Sequence, residues 1–193
     1  MILQDKNLDK GKIERQTRIL KSLGLKGLLV TSQQKATLLK LINNMNQKSL
    51  GVSVKVLFVG DKLTSKDSEE GALFGNIIKK GMNISDQQLD TLDTSSVAFT
   101  NNKFDGVKIL NNLIREKVKL CSPSIIVCFG ERISQFALDS NDSILSLRNN
   151  FFNLFNSKLI CTLALNSILD NQSKKRLVWE DIKKVNKEVL DEK

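Results

Sequence analysis

Histidine, the side chain most often used to move protons near neutral pH, is missing from all 193 positions, so imidazole acid–base chemistry is closed to this chain. The three cysteines, Cys121, Cys128 and Cys161, are odd in number and stand at no metal-ligand spacing. They read as reduced, partly buried thiols, and no metal and no cofactor is expected. Gly60-Asp61-Lys62-Leu63-Thr64 follows an apolar run but lacks the Gly-Lys-Ser/Thr ending that cradles a nucleotide, so an ATPase is not expected either. The informative residues are then those directly behind each strand-like run, because the ligand crevice of an open α/β sheet lies beyond the carboxyl ends of its strands. Four such places occur: Gly60 to Thr64, Thr100-Asn101-Asn102, Phe129-Gly130-Glu131-Arg132, and Thr162-Leu163-Ala164-Leu165-Asn166-Ser167. They offer an acid, Asp61, and an amide, Asn101. Read locally, Asp61 is also a cap for the segment behind it and Asn101 a turn residue.

The elements that must position these residues alternate between strand and helix. Residues 52–59 read as a strand buried on both sides and stopped by Gly60, and the loop 61–70 leads to a helix carrying Phe74, Ile77 and Ile78. A second strand is predicted over 95–100, followed by a helix over about 107–120 with Val107, Leu110, Leu113, Ile114 and Val118 inward. The only proline, Pro123, precedes a third strand over 125–129 and a helix through Ile133, Phe136, Ala137 and Leu138. A fourth strand over 158–163 precedes a last helix from about Ser173, in which Trp179 reads as core. The alternation predicts a three-layer, doubly wound α/β fold on a mainly parallel, four-stranded core. Upstream, residues 12–23 form a short amphipathic helix closed by Gly24, residues 28–30 a brief strand, and Leu38 to Met45 a second apolar helical face. The organisation expected is a helical segment over 1–50 and an α/β domain over 51–193.

No run approaches the roughly 20 apolar residues that span a bilayer, and Met1-Ile2-Leu3-Gln4-Asp5-Lys6 does not open a secretory signal, so a cytoplasmic address is expected. The formal charge of +9 suits an acidic partner, nucleic acid included, and equally a solvated lysine-rich surface. The cations Lys174, Lys175, Arg176, Lys183 and Lys184 read as a solvated face rather than a phosphate track.

Taken in order, the four strand-end places, with Gly71-Ala72-Leu73-Phe74-Gly75 after the first, resemble the uracil-DNA glycosylase superfamily over about 52–185, particularly the branch whose first motif is Gly-Glu-Ala-Pro-Gly. The resemblance implies that Asp61 keeps the water-positioning acid, that Gly71 and Phe74 keep the base-stacking segment, and that Asn101 keeps the amide that reads the base. It also implies that Ala164 stands where the family carries the histidine that steadies the departing base. Asp61 in place of glutamate, Leu63 in place of the motif proline, and the lack of a four-cysteine cluster are further departures. Phe74, on an apolar helical face, also reads as core.

The same fold without the activity occurs in the psi-subunit family of bacterial DNA polymerase III, accessory proteins of the clamp loader. Arg15-Gln16-Thr17-Arg18-Ile19-Leu20-Lys21-Ser22-Leu23-Gly24-Leu25 resembles the segment by which psi engages the loader's collar, although psi's carries tryptophan and this one has no aromatic residue. Leu73 to Ile78, Met82 to Leu89, Ala164 to Leu169 and Lys174 to Trp179 are similar to later parts of psi. The resemblance implies a non-catalytic subunit in DNA replication. Arg18, Ile19, Leu20, Leu23, Gly24 and Leu25 would contact the collar, and a chi-like partner would link the chain to single-strand-binding protein and DNA. A helix packed on its own domain is the other reading of 12–25. A divergent uracil-DNA glycosylase using Asp61, Phe74 and Asn101, and a plain DNA-binding module, are the alternatives.

Overall fold

Two runs in this chain, Val56-Leu57-Phe58-Val59 and Ile125-Ile126-Val127-Cys128-Phe129, present apolar side chains to both sides of a strand and must therefore be covered on both. In a computed structural model, which describes residues 54–82, 84–97 and 103–191, they are strands β1 (Val56–Gly60) and β3 (Ile125–Phe129), and every residue of each is buried. Around them stand β2 (Leu89–Asp93), β4 (Phe151–Leu154) and β5 (Ser157–Thr162) in the order β2-β1-β3-β5-β4. The first four strands of that order are parallel, and β4 runs antiparallel to β5.

The helices are α1 (Glu69–Gly81), α2 (Lys103–Cys121), α3 (Glu131–Leu138), α4 (Ile144–Leu147), α5 (Leu165–Asp170) and α6 (Lys175–Asp191). Alternation along the strands sends Val56, Phe58, Ile125, Val127 and Ile160 to one face, where Phe74 and Ile77 of α1, Ile168 of α5 and Val178, Ile182 and Val185 of α6 cover them. Leu57, Val59, Ile126, Cys128, Leu159 and Cys161 point the other way, onto Leu110, Leu113 and Ile114 of α2, Ile133 and Phe136 of α3 and Leu147 of α4. Each fully buried aliphatic side chain contributes about 1.5–3 kcal/mol, so two such layers hold the sheet from both sides. The α/β class and the parallel four-stranded core agree with expectation.

Three details correct it. The second strand is Leu89–Asp93, and the described part of the expected 95–100 is no strand: Thr94 to Val97 form a turn closed by a bond from the Val97 amide to the Thr94 carbonyl, 2.9 Å, while 98–100 lie outside the described residues. The strand was hidden because its inward residues are Asp90 and Leu92, and Asp90 is neutralised by Lys117 of α2 at 2.7 Å, with both side chains at most 5% exposed. The fifth strand, β4, joins β5 through Phe155 and Asn156, whose positive φ values of 50° and 67° suit a tight two-residue hairpin. The short helices α4 and α5 were also unforeseen.

The candidate docking residues Arg18, Ile19, Leu20, Leu23, Gly24 and Leu25, with the rest of 1–50, and the amide Asn101 lie outside the described residues. Among the described residues no helix is long and apolar enough to cross a membrane.

Candidate functional site

Parallel strands deliver their carboxyl ends to one rim, and at that rim β1, β3 and β5 open into a crevice of about 250 Å³. Its wall behind β1 is Asp61, Lys62 and, from α1, Glu70. Behind β3 come Gly130, Glu131 and Arg132 on a floor of Phe129, and behind β5 come Ala164, Leu165 and Asn166. Asp61 and Ala164, singled out by position in the sequence, therefore meet at one site.

The β1 wall is shaped by hydrogen bonds from β2. Asp93, the last residue of β2, accepts from the Lys62 amide at 3.1 Å, the Thr64 amide at 2.9 Å, the Thr64 hydroxyl at 3.1 Å and the Ser95 hydroxyl at 2.6 Å. Leu63 between them turns into the core, and the buried Thr94 donates its hydroxyl to the Asp61 carboxylate. Asp61 is thus an exposed acid held by a neighbour. Lys62 reaches across to Glu70 at 2.8 Å; this bond raises the lysine pKa and lowers that of the glutamate.

Ser68 caps α1 by accepting from the Gly71 amide at 3.0 Å. A Cβ on Gly71 would fall 1.9 Å from the Ser65 carbonyl oxygen, so the loop's own backbone requires this glycine. Phe74, assigned by resemblance to base stacking, does not line the crevice. It is 6% exposed, with its ring edge-on to Phe58 and Phe129 at 5.3 and 5.8 Å between centroids. An apolar helical face turned onto a sheet is driven into the core, and Phe74 went with it.

The other two walls meet closely. Gly130 has φ 99°, a backbone state that favours glycine, and donates its amide to the Thr162 carbonyl at 2.9 Å. A Cβ there would stand 3.2 Å from that of Ala164. Ala164 is the cap residue of α5 and offers no side-chain bond; its carbonyl accepts from the Ser167 hydroxyl at 2.8 Å. Glu131 accepts from the Ile144 amide at 2.9 Å and so ties α3 to α4, while the Arg132 guanidinium lies 5.3 Å over the Phe136 ring.

Chemically, the crevice presents carboxylates on two walls, a lysine engaged by one of them, the Arg132 guanidinium stacked over Phe136, the Asn166 amide, and a methyl group at position 164. Nothing at position 164 can donate to or neutralise a developing negative charge. The three thiols are buried, and burial disfavours their thiolates, pushing Cys121 and Cys161 up to about 11 and Cys128 well above an ordinary thiol. Among the described residues no three metal-ligating side chains converge.

Two positioning residues, Asp93 and Thr94, escaped the sequence reading. Burial pulls the Asp93 carboxyl up, but the Ser95 hydroxyl and amide and the Thr64 amide and hydroxyl outweigh it and leave its pKa below the ordinary value. The folded state therefore binds this proton more weakly than the unfolded chain. Its contribution to stability is complete above the unfolded value, about 3.9, and is lost as pH falls through the folded one. Asp93→Asn is expected to destabilise the protein at pH 6 and to differ much less from wild type at pH 3, read from urea midpoints at both. Equal differences at the two pH values would deny Asp93 this role.

No family model and no curated protein matches this sequence.

Proposed function

We propose that this chain is a non-catalytic accessory subunit of a bacterial DNA polymerase III clamp loader, acting as psi does. Its 1–50 segment engages the collar, and its α/β domain, a glycosylase-like fold, holds a chi-like partner that contacts single-strand-binding protein. The observation that carries the reading is Ala164. A base leaving DNA as an anion needs a donor or a cation where the glycosylases carry histidine, and here a methyl group faces Gly130. Loss of one such donor typically costs about 10²–10³ in rate. The burial of Phe74, which takes that ring out of the crevice, supports the same reading, and the sheet with its crevice behind β1, β3 and β5 is compatible with the glycosylase-like fold.

A tagged copy purified from its native cells is expected to bring down collar subunits of the clamp loader and a chi-like protein. Recovery without any clamp-loader subunit would overturn the proposal. The pure protein is expected to leave a uracil-containing oligonucleotide intact. Excision that Asp61→Ala abolishes would establish a divergent glycosylase instead.

A further inference from the structure

Away from the crevice, the outer seam between α1 and α6 carries a half-exposed indole inside a cluster of cations. Trp179 is 38% exposed. Its six-membered ring lies against the end of α1, where a Cβ on Gly81 would stand 3.1 Å from Cζ3. Asn186 donates to the Gly81 carbonyl and pins the same seam. The indole therefore rests one edge on the α1 backbone and keeps 38% of its surface in solvent; it is not enclosed in the core, as the sequence suggested.

Cations stand on both lips. Lys79 and Lys80, exposed in the last turn of α1, immediately precede Gly81. On α6, Arg176, Lys183 and Lys187 stand three before, four after and eight after Trp179, spacings that place them on its side of the helix, and all three are exposed. Lys79, Lys80, Lys183 and Lys187 make no ion pair among the described residues, and Arg176 has only a 3.5 Å approach to the half-exposed Glu180. Leu190, the other large exposed apolar side chain of α6, lies beyond Lys183 and Lys187, so along the described α6 the two exposed apolar side chains are separated by cations.

An aromatic face ringed by cations has the composition that holds single-stranded nucleic acid: a base stacks on the ring and flanking phosphates meet the ammonium groups. Duplex bases are already stacked and offer the indole no face. We propose that the Trp179 seam binds single-stranded DNA or RNA directly, without sequence preference, through stacking on the indole and phosphate contacts to Lys183 and Lys187. This does not rest on the reading of the crevice, and either proposal can fail alone.

Trp179 is the chain's only tryptophan and there is no tyrosine, so indole emission reports from this spot alone. Full-length protein titrated at low salt with a 20-mer of dT, and in a second arm of rU, is expected to show saturable quenching. Added salt should reverse it, and a duplex of equal length should quench less. Comparison of the dT and rU arms separates DNA from RNA as the ligand. Lys183→Glu with Lys187→Glu should weaken binding at least tenfold, and Lys108→Glu with Lys119→Glu, an equal charge change on α2, less than threefold. Trp179→Leu, followed by polarisation of a labelled 20-mer, should lose about tenfold, consistent with roughly 1–3 kcal/mol for one stacked base. Binding without quenching, or equal losses in the two charge-reversed proteins, would overturn the proposal. So would quenching by anionic phospholipid vesicles or polyglutamate where the oligonucleotides give none.

Discussion

An Arg148→Ala protein is expected to be about 3–5 kcal/mol less stable than wild type at neutral pH, the usual consequence of stranding one member of a buried ion pair. Arg148 caps α4, which packs on the second face of the sheet, but its guanidinium crosses to α6 on the first. There it grips Asp181 with Nε at 3.1 Å and Nη2 at 3.0 Å, and donates to the Leu177 carbonyl at 2.7 Å. Asp181 is completely buried and also accepts from the Thr162 hydroxyl, at 2.7 Å, so the pair fixes the end of β5 two residues before Ala164. Burial pushes the Asp181 carboxyl above the ordinary range, against the pull of Thr162 and Arg148. Because the folded value is raised, the proton stabilises the fold below the unfolded pKa, and that contribution is lost as pH rises through the folded one. Without the arginine, Lys184 at 3.4 Å is the remaining cation in range, and the cost of the charge grows. The deficit of Arg148→Ala should therefore shrink as pH is lowered from neutral in urea titrations. Arg148→Met combined with Asp181→Leu should recover most of the loss, since neither charge is then left alone. A deficit below about 1 kcal/mol, or one indifferent to pH, would show that the pair is not what joins the layers.

This pair also marks where the sequence stops being legible. Strands β1 and β3 are written in uninterrupted apolar residues; β3 matches the expected 125–129 to the residue, whereas β1 is Val56–Gly60 against an expected 52–59, with Val54 and Lys55 outside the strand. The fourth parallel strand, Ser157–Thr162, differs from the expected 158–163 by one position at each end. What failed is at the edges, where a strand need not be apolar. In β2 the inward Asp90 is acceptable only because Lys117, 27 positions later, comes to meet it. The sequence therefore favours 95–100, with its apolar Val97-Ala98-Phe99, in its place. β4 alternates half-buried and exposed residues, with Phe151 40% exposed, and leaves little periodic trace. The candidate site divides in the same way. Asp61, Gly130 and Ala164 were found because the ends of parallel strands share one rim. Asp93 and Thr94 were not, because their importance comes from bonds to a loop about 30 residues earlier in the chain.

Phe74 offers the sharpest separation between a residue assigned by resemblance and one placed by packing. A base-stacking platform must expose its ring, and truncating an exposed side chain usually changes stability by less than about 0.5 kcal/mol. A core phenylalanine reduced to alanine costs about 3–5 kcal/mol through lost burial and the cavity left behind. With the ring 6% exposed and edge-on to both Phe58 and Phe129, Phe74→Ala is expected to fall in the second range by chemical denaturation. Phe74→Leu, which keeps most of the volume, should recover much of the loss. Because Phe129 floors the crevice and leans on Phe74, the cavity would open directly beneath it, and the crevice residues should show the loss of packing before the α2 layer does. Amide hydrogen exchange on the Phe74→Ala protein would check this, with faster exchange expected over 129–133 and 163–166 and unchanged protection over 110–118. A stability change within about 0.5 kcal/mol would return Phe74 to the surface and reopen the case for a base-binding pocket.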